Sequence, residues 1–239
     1  MSRNYPSLIG VDEAGRGSLI GDIVIAAISI KPSDIERLVE LGVRDSKKLN
    51  PHKRAYLYTI LKKWPFSVYS IQPADIDKYN ISMLEEYAVY EVLKNLARII
   101  GREFTGSRIV IDKFGPTRIL SSKLRDLGFK GEFIVAEKAD MNYIEVAAAS
   151  IIAKYIRDRR IQVLKSIYGF EGSGYPSDPR TINWVRRALN QGLKPPIIRY
   201  SWSTIAHMGF RVEKKNMRII HKTLDEYLEK GIKGENRIY

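Results

Sequence analysis

The sequence predicts a mixed, largely α/β fold: a five-stranded sheet flanked by helices, with a helical C-terminal extension. Two β-rich runs come first, further strands then alternate with helical patterns, and the final stretch reads as helix alone. At 239 residues the chain suits one large domain, or a core with a smaller appendage.

The elements follow in chain order. Residues 7–12 form a short apolar run that enters a glycine-rich turn at 15–17. Residues 23–30 are a second β-rich run, stopped at Lys31-Pro32. Ser33 can cap a short helix ending near Gly42. Asn50-Pro51 joins a cap to a proline at the first helical position and opens a helix to about Trp64. Residues 66–71 are a third strand. Ser82, with Glu85 three residues on, reads as a capping box for a helix running to about Ile100. A fourth strand at 108–112, a helix at 116–127 and a fifth strand at 132–136 follow. The longest helical pattern covers 142–168 and stops at Gly169. Beyond the loop 172–179 every segment reads as helical, including the amphipathic stretch 212–230, which reads as a lid on the core or a partner helix, the lid being favoured. No Gly/Ser linker intervenes, so the expected division is a core at 1–172 and an extension at 173–239 packed on it.

Composition narrows the partners. Forty Lys and Arg against 27 Asp and Glu leave a net charge of +13 and a pI near 9.7. Such a surplus suits a polyanion, nucleic acid foremost, with an anionic membrane surface or a ribosomal assembly as alternatives. There is no cysteine, which excludes disulfides, thiolate zinc sites and a cysteine nucleophile. No apolar run approaches the ~20 residues of a membrane helix. Residues 1–6 are too short and polar for a signal peptide, so a cytoplasmic location is expected. The lack of cysteine, abundant Lys, Arg and Ile, and few long loops hint at a thermophile.

Four acids stand where elements end. Asp12 and Glu13 close the first strand in DEAGRG, Asp112 closes the fourth in IVIDKFG, and Asp140 lies in EKADMNY before the long helix. Open α/β sheets carry their sites at such strand ends. Asp140, at a helix N-terminus, should stay ionised in the helix dipole. Each acid alone has a plainer explanation, as a turn former or a cap. Their recurrence in a strongly basic chain favours convergence. Four converging carboxylates would repel one another, raising at least one pKa. Two divalent cations would balance them, and oxygen-only ligands favour Mg²⁺ or Mn²⁺ over zinc, as in two-metal phosphodiester hydrolysis.

Other chemistries fit less well. EAGRGS lacks the GK[ST] ending of a phosphate-binding loop. His52, His207 and His221 have no serine elbow nearby and read as structural or surface residues.

The blocks DEAGRG, RDSKKLNP, IDKFGP and ADMNYIEVAAASIIAK, in that order, resemble the signature blocks of ribonuclease HII. The resemblance runs from about Gly10 to Trp202 and is nearest the archaeal branch, through GSGYPSDP and the helical extension. It implies a ribonuclease H-like fold whose catalytic, metal-holding acids are Asp12, Glu13, Asp112 and Asp140. It implies that Gly15, Arg16 and Gly17 sense the ribose 2′-hydroxyl. Tyr175 would stack on the following sugar, or simply be a tyrosine wedged in a proline-containing loop. Ser46, Lys47 and Lys48 would contact phosphates, or form a solvated charged loop. Lys154 would reach a phosphate, whereas residues 147–150 are explained by close helix-on-sheet packing. Arg199, Trp202, Ser203 and Thr204 would share a structural and duplex-contacting role.

The substrates implied are RNA–DNA hybrids and duplex DNA carrying a ribonucleotide, cut 5′ to the ribonucleotide to leave a 3′-hydroxyl and a 5′-phosphate. The implied roles are ribonucleotide excision and RNA primer removal, by a monomer. A sliding-clamp partner stays open, since residues 231–239 lack paired aromatics. The sequence departs from the family's pattern at Ser18 and Asp22, where proline is expected. Serine would relax the loop, and Asp22 would be an outer-shell water ligand or face solvent. A type 3 ribonuclease H is disfavoured by GRG and by the lack of an extra N-terminal domain. A catalytically silent duplex-binding protein on the same fold is the alternative from another class, disfavoured by the four intact acids.

Overall fold

The computed structural model describes residues 4–44, 49–115, 117 and 119–211. Apolar, β-branched runs build β1 (Leu8–Ala14), β2 (Ile23–Ile30), β3 (Phe66–Ile71), β4 (Arg108–Asp112) and β5 (Glu132–Ala136). They form a five-stranded sheet in the order β3-β2-β1-β4-β5. β3, β2 and β1 pair antiparallel, whereas β1, β4 and β5 run parallel. All eight residues of β2 are buried, because helices cover both sheet faces and remove the need for a polar side.

The helices are α1 (Ile35–Glu40), α2 (Pro51–Leu61), α3 (Pro73–Lys78), α4 (Ile81–Ile100), α5 (Leu120–Asp126), α6 (Ala139–Asn142), α7 (Ile144–Tyr168), α8 (Pro179–Asn190) and α9 (Ser203–His207). On one face, Ile9, Val11, Ile23 and Ile25 pack with Val89, Val92 and Leu96 of α4. On the other, Val24, Ala26 and Ile28 meet Ala148, Ile151 and Ile152 of α7. The small side chains of α7 are buried there, as the packing reading of residues 147–150 expects. The helix comes very close at Gly10, where an added Cβ would stand 2.0 Å from the carbonyl carbon and oxygen of Glu145. The first turn of α7 therefore lies directly on β1, just upstream of Asp12.

A third apolar cluster joins the C-terminal segment to the glycine-rich loop: Leu19, Ile20 and Ile161 pack with Phe170, Val185, Ile198 and Ile205. An isolated antiparallel bridge links Ile20 to Ile198. Apolar burial thus fixes the far end of that loop.

Several elements differ from the sequence reading. The cap of α4 is Asn80, whose side chain accepts from Ser82 N and Met83 N, so Ser82 and Glu85 form no capping box. Glu85 is fully buried and faces Arg16 instead. The long helix expected at 142–168 is the single helix α7 at 144–168, and Tyr143, in an extended conformation, separates it from the short α6 before it. Asp140 therefore lies in a separate single turn and does not cap the long helix. Residues 191–202 are turns, bends and the Ile198 bridge, with no helix. The stretch 212–230 lies outside the described residues.

Candidate active site

β1 and β4 run parallel with Val11 beside Ile111, so the next residues on each strand are Asp12 and Asp112. Asp12 Oδ1 accepts from the Glu13 amide at 2.8 Å, and Asp12 also bonds to the side chain of Ser150 on α7. Asp112 Oδ1 accepts from the Ala139 amide at 2.8 Å. That bond ties the end of β4 to the start of α6, one residue before the buried Asp140. Lys138 turns the chain into α6 at φ 53°, a conformation uncommon outside glycine.

Electrostatics separate these acids from surface carboxylates. Burial, then repulsion from Glu13 and Asp112, raises Asp12 well above its ordinary value of 3.8, against the pull of the Ser150 bond. Burial, then Glu85 and Asp112, pushes Glu13 up to about 7. Burial likewise takes Glu85 to about 7, with Arg16 and Arg199 opposing.

The glycine-rich loop is braced from three sides. Arg199, the largest fully buried side chain, donates from Nη1 to the Arg16 carbonyl at 2.8 Å and from Nε to the Gly21 carbonyl at 2.9 Å. Arg16 Nε lies 2.9 Å from Glu85 Oε1. Ser18 does not relax the loop: its hydroxyl and amide both donate to the Gly15 carbonyl, at 2.8 and 3.1 Å, and close the turn. Asp22 does not face solvent, since it is largely buried and pairs with Arg160 Nη2 at 2.5 Å.

Tyr175 comes to the same loop through Arg157. A Cβ at Gly15 would meet Arg157 Cγ at 3.4 Å, and one at Gly174 would meet its Nη2 at 3.1 Å. Both glycines have positive φ, and at Gly15 a Cβ would also stand 2.8 Å from the Asp22 carbonyl. Arg157 Nη2 donates to the Ser173 carbonyl at 2.7 Å, and the Gly174 carbonyl accepts from the amides of Leu19 and Ile20. Lys154 lies four residues beyond Ser150, on the same face of α7 and half-buried. Ser46, Lys47 and Lys48 lie outside the described residues. His52 and His207 are exposed, and His221 is outside the described residues.

The arrangement thus places Asp12, Glu13, Asp112 and Asp140 at one end of β1 and β4, with Gly15, Arg16 and Gly17 beside them and Tyr175 across Arg157. Sequence reasoning missed Arg157, read Glu85 as half of a capping box and Ser150 as helix-on-sheet packing, and left Arg199 without a specific role. An alternative to the capping box at Glu85 was legible only as an acid among the buried apolar positions of α4.

The Ribonuclease HII family profile matches residues 9–205. The chain belongs to the ribonuclease HII family. Ribonuclease HII from Aeropyrum pernix is 44% identical over 225 residues, covering 92% of this chain and 98% of the relative. The ribonuclease H2 structure from Pyrococcus horikoshii superposes with a TM-score of 0.72 at 38% identity, covering 84% of this chain and 96% of that one. The Archaeoglobus fulgidus RNase HII, solved in complex with PCNA, gives 0.71 at 33% identity, covering 91% and 98%. Family membership makes the chain a ribonuclease H, a hydrolase, on the mixed five-stranded sheet expected. No helix among the described residues is long and apolar enough to cross a membrane.

As a ribonuclease HII site, the donor set suits hard divalent cations. It offers carboxylate oxygens that are buried and mutually repelling, and Glu13 Oε2 is buried without a hydrogen-bond partner. Among the described residues, no three His, Asp or Glu side chains are drawn together as a formed ion site.

Proposed function

We propose that the chain is an endonuclease that hydrolyses the RNA strand of RNA–DNA hybrids. It also incises duplex DNA 5′ to single ribonucleotides, leaving 3′-hydroxyl and 5′-phosphate ends. The observation that carries this reading is the mutually repelling set of the buried Asp12 with the partly buried Glu13 and Asp112, in a protein of net charge +13.

In this reading Asp12, Glu13, Asp112 and Asp140 are the catalytic acids and hold two Mg²⁺ or Mn²⁺ ions. When bound, the ions supply Lewis-acid activation and charge neutralisation at the phosphodiester. Ser150 orients Asp12, and the Ala139 amide orients Asp112. Gly15 and Gly17 let the backbone approach the minor groove, where with Arg16 they sense the 2′-hydroxyl that distinguishes RNA from DNA. Tyr175 stacks on the following deoxyribose. Ser46, Lys47, Lys48 and Lys154 contact phosphates. The corresponding roles are ribonucleotide excision and primer removal in the cytoplasm, by a monomer. The Archaeoglobus fulgidus complex supports a sliding clamp as protein partner.

The test is cleavage of a DNA duplex carrying one ribonucleotide, with Mg²⁺ or Mn²⁺, beside an Asp12→Asn control. Incision immediately 5′ to the ribonucleotide, abolished by the substitution and by chelator, supports the reading. Cleavage of long hybrids alone removes the roles given to Gly15, Arg16, Gly17 and Tyr175. Tight binding without a cut establishes the catalytically silent alternative.

A further inference from the structure

The acids at the strand ends do not account for Glu85. It comes from the buried face of α4, among Leu84, Ala88, Val89 and Val92. Its neighbour Glu86 has a structural role, accepting the Ile119 and Leu120 amides at 2.9 Å to cap α5. Glu85 caps nothing, and neither of its carboxylate oxygens accepts a hydrogen bond from the fold. Its side chain is 0% exposed, yet it faces Arg16, whose side chain is 40% exposed on the glycine-rich loop. Glu85 also feels the charge of the buried Arg199, but its close contact, at 2.9 Å, is with the half-exposed Arg16. A buried carboxylate paired with a half-exposed cation adds little to the stability of a fold. It does hold that cation beside the acid, by charge rather than by a directional hydrogen bond.

The backbone of the same residue is held by Arg199, whose Nη1 donates to the Arg16 carbonyl. Arg16 is therefore gripped at its main chain by a buried cation and at Nε by a buried anion.

We propose that Glu85 is a positioning residue that fixes the side chain of Arg16 for the ribonucleotide-containing strand. The inference rests on the role proposed for Gly15, Arg16 and Gly17 in sensing the ribose. Glu85 acts through Arg16 and touches no reacting atom.

The experiment is a double-substitution cycle: wild type, Glu85→Gln, Arg16→Ala and the double variant, each assayed on a one-ribonucleotide duplex. Glu85→Gln keeps the side-chain volume, and the melting temperature reports whether each variant folds. The expected result is a KM raised about tenfold by Glu85→Gln, the value of one charge-assisted contact, with kcat within about threefold. The effect should vanish when Arg16→Ala is already present. Equal effects of Glu85→Gln in both backgrounds overturn the inference, as does a shift confined to the metal concentration required. So does an unchanged KM where Arg16→Ala raises it. Binding of the uncut duplex, measured with Asp12→Asn added to all four chains, reads the same coupling without cleavage. A failure of the cleavage reading is thereby separated from a failure of this one.

Discussion

The guanidinium of Arg157 lies over the ring of Tyr175, 4.4 Å from its centroid, and packs against Gly174. That buried cation lies between the glycine-rich loop and the tyrosine loop, which the Leu19 and Ile20 amides also join directly through the Gly174 carbonyl. Arg157→Ala removes a desolvated cation–π contact of about 2 kcal/mol, together with the bond to the Ser173 carbonyl. The expected outcome is a loss of about thirtyfold in kcat/KM on a one-ribonucleotide duplex, with a smaller loss on long hybrids. Arg157→Lys should fail to rescue, because an ammonium cannot stack and bond together as the planar fork does. Equal losses on both substrates would show that Arg157 only supports the fold.

Gly10 is the second sensitive point. An alanine methyl would enter the backbone of Glu145, and two packed main chains offer no side chain that can move aside. Gly10→Ala is expected to destabilise by about 3 kcal/mol, lowering the melting temperature by about 10 °C. It should also disturb Asp12 two residues on, so activity should fall even where the protein remains folded. A melting curve matching wild type would show that α7 can shift on β1.

Arg199→Met tests the brace under the loop. Methionine keeps much of the volume but leaves the Arg16 and Gly21 carbonyls without their donor. Two buried acceptors losing their partner should cost about 3 kcal/mol. Hydrogen exchange should quicken at the Ser18, Leu19 and Gly21 amides, whose bonds to the Gly15, Gly174 and Ile197 carbonyls depend on the braced loop. Unchanged exchange there would assign the loop's rigidity to Leu19, Ile20 and the Ile198 bridge instead.

Much of this architecture was legible in the sequence because it is local. Five apolar runs of strand length became five strands, and Asp12, Glu13 and Asp112 stand at strand ends because polar residues cluster where apolar runs stop. The missed features depend on residues far apart in the chain. Nothing near Glu85 announces Arg16, and nothing near Arg199 announces the carbonyls at positions 16 and 21, some 180 residues away. Ser82 and Glu85 match a capping box in spacing, but Asn80 caps the helix two residues earlier, taking the Ser82 and Met83 amides, and leaves Glu85 to the core. At Ser18 the family pattern calls for proline, whereas the serine hydroxyl supplies a turn bond that proline cannot make.

The crowding of Asp12, Glu13 and Glu85 makes stability depend on pH. Glu13 and Glu85 sit at about 7 in the folded chain against an ordinary 4.5, and Asp12 is also raised. A carboxyl raised on folding prefers to be protonated there. Its contribution is complete below the ordinary carboxyl range and is lost as pH climbs through the folded value. The chelated protein should therefore melt at progressively lower temperature from about pH 4.5 to about pH 7. Asp178 and Glu137 are shifted downward by Arg180 and Lys113, so they alter stability only at more acid pH, below this window. Mg²⁺ or Mn²⁺ must displace the protons to bind, so either ion should raise the melting temperature more at pH 8 than at pH 5. Thermal melts at both pH values, with and without chelator, measure this directly. A flat profile in chelator would show that the acids are not crowded in solution. A metal shift equal at both pH values would place the bound ion elsewhere.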